Sequence, residues 1–215
     1  MTTLTQSQSR ATAILLGTAM LAAIVFWFAA AVPYFTTNRE AFGRYPDLYW
    51  DRRIALWIHI AGGTVAMFIG PIQIWLGETR QRLALHKTLG LAYLGGVAVT
   101  CAAAFQLSLT SPVGLIFSGG LFGMALACSV ATSIAYLAIA RRDFVQHREW
   151  IIRSYIVILS FVVFRLIAVS LEAAGVGGTG MEGDTIRASF AAWASWSIPL
   201  LVTEVCLQLP KLRGR

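Results

Sequence analysis

Charge is scarce in this chain. Only 13% of its 215 residues are Asp, Glu, Lys or Arg, about half the ~25% of a soluble domain, so a water-exposed globular surface is excluded. Cysteine is nearly absent too. The three present, Cys101, Cys128 and Cys206, each fall inside an apolar run, and no CxxC occurs. An odd number without paired spacing assigns no disulfide framework and no metal cluster, and buried cysteine behaves as a small hydrophobe. HExxH and a nucleotide-binding glycine loop are missing. The serines and threonines within the apolar runs lack the histidine–carboxylate arrangement of a hydrolase triad. No internal repeat is convincing, so no inverted pair of broken helices is expected.

What remains is apolar: 57% of residues are hydrophobic, in runs of about twenty that suit a bilayer. The net charge of +7 sits in short loops between those runs, a membrane-topology pattern that excludes a nucleic-acid partner. The fold class expected is all-α, a polytopic membrane helical bundle with the lipid bilayer as its solvent. Six spans are bounded by charge or by Gly/Pro punctuation, at roughly 12–34, 54–76, 88–110, 114–140, 149–171 and 187–209. The stretch from Ala11 to Pro33 exceeds a signal peptide's apolar core and is read as an uncleaved first helix. The chain is one integral membrane domain, 1–215, with residues 1–53 as first span plus outer loop and 54–200 as core bundle. The glycine-rich loop over 172–186 is expected to be mobile.

Lys and Arg give the orientation. On one side lie Arg10, Arg80, Arg82, Lys87, Arg141, Arg142, Arg148, Arg153, Lys211, Arg213 and Arg215; on the other, Arg39, Arg44, Arg52, Arg53 and Arg187. Both termini are expected in the cytoplasm, in the inner (plasma) membrane.

The polar residues inside the spans carry the functional signal. At about 100° per residue, His59, Gly63, Ala66, Gly70 and Gln73 fall within about 40° on one face of the second span. Such a face admits either a neighbouring helix or a ligand. His86, Gly90, Tyr93, Val97 and Thr100 share a face of the third span. In the fifth, His147, Ser154, Phe161, Arg165 and Glu172 lie on one face if that helix starts before His147. His59 and Arg165 lie about 9 Å inside the outer end, whereas His86 and His147 enter from the inner side, so no three-histidine metal site forms. Arg165 is the costliest residue, at about 3 kcal/mol or more in hydrocarbon, and needs a carboxylate, an anion or the bundle interior. His59, Arg165, Gln73, Tyr93, Gly63 and Gly70 are the candidate ligand pocket. Arg153 and Glu204, each about a turn inside its span, are expected to form a structural pair.

The run HIAGGTVAMFIGPIQ, then Arg80 and Arg82, LHKTLGLAYL, RRDFVQHREWIIRSY and FRL around Arg165 resemble, in that order, bacterial membrane proteins grouped as domain of unknown function 2306. The resemblance covers roughly 54–200 and implies no settled activity. LHKTLGL more faintly resembles the segment around a haem-ligating histidine in transmembrane dihaem cytochromes b. That likeness implies a haem b held by His86, with His147 as its partner; the outer layer has one histidine and holds no second bis-histidine haem.

Three readings stay open. The first is a haem-b or redox-associated protein that exchanges electrons with a quinone or partner complex, using Gly62, Gly63, Gly90, Gly95 and Gly96 for ring room. The second is a binding or transport module for a small amphiphile or anion, built on Arg165 and His59. The third is an accessory subunit of a larger respiratory or photosynthetic complex. No reaction is assigned.

Overall fold

The computed structural model describes residues 17–18, 21, 24–43, 45–80 and 82–213. Its helices are α1 (Ile24–Tyr34), α2 (Pro46–Tyr49), α3 (Arg53–Thr79), α4 (Leu83–Leu109), α5 (Leu115–Ala140), α6 (Phe144–Ile158), α7 (Ser160–Ala173) and α8 (Gly180–Arg213). Among the described residues there is no strand. Among the described residues four helices, Pro46–Thr79, Leu83–Leu109, Leu115–Ala140 and Gly180–Leu212, are long and apolar enough to cross a membrane, and there are five if the bent pair α6–α7 counts as one span. Of the expected first span, residues 12–16, 19–20 and 22–23 lie outside the described residues, and α1 is its far end. Arg10, Arg44 and Arg215 of the orientation count, and the Arg213 side chain, also lie outside them. The outer surface is apolar, with Leu115 88% and Leu109 75% exposed, as lipid contact requires.

Sharp joints set the antiparallel order. Arg80 and Arg82 take left-handed backbone (φ 52° and 50°) between α3 and α4. Gly114, at φ 120°, admits α5 where a side chain would be strained. Asp143 caps α6 by accepting from Gln146 N at 3.0 Å.

Small residues then decide how closely the helices approach. A Cβ on Gly62 of α3 would lie 2.8 Å from Gly96 O and Thr100 N of α4, and one on Gly96 would lie 2.9 Å from Gly62 O. The two backbones therefore touch, with no side chain between them. Gly120 of α5 meets Ala192 of α8 in the same way. Pro71 provides no N–H to the carbonyl four residues back. Tyr155 of α6 fills the notch beside Gly70 and donates its hydroxyl to that orphaned Met67 O at 3.2 Å. Sequence, kink and packing thus form a single device.

Two expectations change. The fifth span is not one straight helix: α6 and α7 are bent by 40° at Leu159, with Ser160 fully buried and its Oγ unpartnered. His147 and Ser154 therefore belong to a different axis from Arg165 and Glu172, and the continuous face drawn through them does not exist. The glycine-rich segment before α8 is pinned rather than loose. Arg187, 4% exposed, donates to Val176 O at 2.8 Å and Gly178 O at 2.7 Å and pairs with Asp184.

Candidate functional site

At the bend between α6 and α7 lies a cavity of about 80 Å³, several times the ~10–15 Å³ that one water needs. Trp27 and Ala31 of α1 close one side; His59, Gly63, Thr64 and Met67 come from α3. Cys101 of α4, Met124 and Cys128 of α5, and Ile158 and Phe161 at the bend complete the wall. Bent backbone survives at membrane depth where it is buried in protein or lines a cavity, and here it does both. α1 is held against the site by Trp27, whose Nε1 donates to Thr64 Oγ1 at 2.7 Å.

His59 is a wall residue with its inner nitrogen satisfied. Its Nδ1 lies 3.0 Å from Thr100 O and 2.9 Å from Thr100 Oγ1, and that hydroxyl donates to His59 O at 2.8 Å. A carbonyl only accepts, so Nδ1 carries the proton and Nε2 keeps the lone pair. This locks α3 to α4 one turn from the Gly62–Gly96 contact.

Arg165 stands one turn beyond Phe161, its Cζ 5.9 Å from that ring and 6.0 Å from Phe164. Its Nη2 donates to Tyr34 OH at 3.3 Å, while its Nε is buried without a partner. No carboxylate pairs with it among the described residues. The guanidinium is thus half-buried, ringed by aromatics and electrically uncompensated, close to the cavity but not in its wall.

The expected pocket residues do not form one pocket. His59 and Gly63 line the cavity. Gln73 lies toward the opposite end of α3, where Nε2 donates to His86 O at 3.0 Å and closes the α3–α4 hairpin. Gly70 is covered by Tyr155. Tyr93 belongs to a buried hydroxyl chain, its OH 2.8 Å from Ser154 Oγ, which lies 2.7 Å from Thr132 Oγ1. The cavity residues the sequence did not single out, Trp27, Met67, Cys101, Met124 and Cys128, are apolar or thiol-bearing in apolar runs, so no contrast marked them.

Toward the His86 end, Arg153 donates through Nε and Nη2 to Glu204 Oε2 at 2.8 and 2.6 Å. Glu149, 6% exposed, lies 3.7 Å from Arg153 and is paired at 2.7 Å with Lys211. Arg148 holds Glu78 at 2.6 Å. These pairs tie α6 to α3 and α8.

The same end tests the haem expectation. His86 packs beside Gly77 with its Nδ1 buried and unpartnered; His147 Nδ1 donates to Ala135 O at 2.9 Å. Four of the five glycines that were to make room face neighbouring residues instead. Gly62 and Gly96 interlock, Gly63 faces Thr100, Gly90 faces Gln73, and Gly95 has nothing within 4 Å. A flat macrocycle needs an open slot between its axial ligands, and the residues present do not fit one. Among the described residues no three His, Cys, Asp or Glu side chains gather as metal ligands.

A family described as "Predicted membrane protein (DUF2306)" matches residues 56–207, most of the chain. The chain belongs to that family. No curated protein and no solved structure matches it. The DUF2306 match spans α3 through most of α8, so it includes both the cavity wall from α3 to α7 and the Arg153–Glu204 layer, while α1 with Trp27 lies outside it.

Proposed function

We propose that this DUF2306 protein is a multi-pass membrane binding module for a small anionic amphiphile. The apolar part occupies the cavity at the α6–α7 bend, and the head meets Arg165. The observation that carries this is the juxtaposition of a cavity with a half-buried cation that no carboxylate among the described residues neutralises. Phe161 links them, forming cavity wall on one side and lying under the guanidinium on the other. An uncompensated guanidinium in a low-dielectric layer gains most from an anion that it can grip with paired N–H groups. In this reading six spans cross the inner membrane, both termini are cytoplasmic, and the Arg165 end faces outward, as the Lys/Arg distribution favours.

The test uses the full chain in detergent with 9,10-dibromostearate, a fatty acid whose bromines quench tryptophan. Saturable quenching is expected that Trp27→Phe removes and Ala104→Trp, which fills the cavity, prevents. Arg165→Leu should weaken it about 10-fold, the worth of one hydrogen bond to a charge. Equal binding by the wild type and both the Ala104→Trp and Arg165→Leu variants would overturn the reading.

A further inference from the structure

The chain has five methionines and three cysteines. Four of these eight, Met67, Cys101, Met124 and Cys128, line the one cavity. Sixteen of 215 residues form that lining, so an even scatter would place fewer than one sulfur there. Cys128 lies one helical turn beyond Met124, on the same face of α5. Cys101 of α4 and Cys128 of α5 belong to one buried cluster, against which Met124 packs. Both are nearly sealed, at 7% and 3% exposure. Hydroxyls lie nearby: Thr132 Oγ1 donates to the Cys128 backbone carbonyl at 2.7 Å and lies 2.7 Å from Ser154 Oγ.

Methionine fills gaps and cysteine acts as a small hydrophobe in many cores. Here, however, the sulfurs surround space rather than fill it. Two thiols and the Met124 thioether on one wall, with the Met67 thioether on the α3 wall of the same cavity, are a soft donor set, which selects Cu(I) over hard or borderline cations. Among the described residues no third His, Cys, Asp or Glu stands beside the pair to complete the four-ligand shell that zinc takes.

We infer that the Cys101–Cys128 wall of this cavity binds Cu(I), with Met124 and Met67 as thioether donors. On binding, Cu⁺ displaces one thiol proton to solvent and forms a copper–thiolate bond; copper stays in the +1 state and nothing is oxidised. One cation and one thiolate leave a neutral centre, the form that a bilayer interior tolerates. The site shares the cavity with the amphiphile reading but uses a different wall, and a copper titration without fatty acid separates the two.

The experiment titrates the full chain anaerobically in detergent with Cu(I) buffered by the coloured chelator bicinchoninate. One equivalent should leave the chelator, with ultraviolet sulfur-to-copper charge-transfer absorption appearing in step. Cys101→Ser/Cys128→Ser should abolish uptake, Met124→Leu should weaken it about 10-fold, in the range seen for supporting shells of metal sites, and Cys206→Ser should leave it unchanged. X-ray absorption at the copper edge of the loaded wild type gives an answer independent of how the variants fold, and a sulfur shell is expected. No uptake by the wild type, uptake retained by a folded double variant, or a shell of nitrogen and oxygen alone would each overturn the assignment.

Discussion

Replacing Gly62 with alanine should damage this protein far more than the same change at Gly95, although both are glycines inside apolar helices. At Gly62 the new methyl would lie 2.8 Å from Gly96 O and 2.8 Å from Thr100 N, both backbone atoms. No rotamer change relieves that clash, so α3 and α4 must part. Overpacking of this kind costs about 1–3 kcal/mol. Parting also stretches the His59–Thr100 bonds one turn away, at about 0.6 kcal/mol per interhelical bond and at most ~1.7. Against this stands the helix preference of alanine over glycine, about 0.8–1 kcal/mol. The net expectation for Gly62→Ala is a loss of about 1–3 kcal/mol. At Gly95 nothing lies within 4 Å of the added Cβ, so only the preference acts, and the variant should gain up to about 1 kcal/mol. Unfolding in mixed micelles, followed by circular dichroism as the denaturing detergent fraction rises, reads both values. A Gly62→Ala protein as stable as Gly95→Ala would refute direct backbone contact between α3 and α4.

Three further outcomes follow from other contacts. Arg153→Met should cost about 1.5–3 kcal/mol, the worth of its hydrogen bonds to the Glu204 carboxylate, while Glu149 keeps Lys211 at 2.7 Å; the same unfolding titration measures it, and a loss below about 0.5 kcal/mol would show that the pair does not hold α6 to α8. Tyr155→Phe should cost about 1 kcal/mol in the native background and close to nothing in Pro71→Ala, where residue 71 regains the N–H that serves Met67 O; a double-mutant cycle with no coupling would refute the shared notch. Arg187→Met should expose the segment 174–179 to faster cleavage by a broad-specificity protease, since its two carbonyl contacts are lost; unchanged cleavage would mean that the turn holds itself.

The fold was legible where chemistry changes along the chain. Apolar runs bounded by charge mark α3, α4, α5 and α8, because lipid selects composition over lengths a reader can see. Arg153 and Glu204 meet for a similar reason: depth alone brings two polar residues level when each lies a turn inside its helix. The bend at Leu159 left no mark, since Val157–Phe161 contains neither glycine nor proline. Arithmetic at 100° per residue presumes an unbroken axis, so every alignment drawn across that point was lost. The cavity was illegible for a different reason. Its wall is made of the same alanines, methionines and isoleucines that face lipid elsewhere, and space between helices has no residue type. Nor could one sequence tell that glycines suited to a ring would be used up by helices touching each other.

The Gly70–Pro71 notch also bears on the order of assembly. α3 leaves the ribosome well before α6, so the Met67 carbonyl enters the bilayer with no backbone donor and, for a time, no Tyr155. The α3–α4 hairpin can close early on its glycines and on Gln73, but it carries one unmet polar group into lipid. Docking of α6 resolves that debt, and it sets the start of the bend that opens the cavity. The hairpin is thus a template with a vacancy shaped for one tyrosine, and an early contact of the nascent bundle with any other helix would leave that carbonyl unserved.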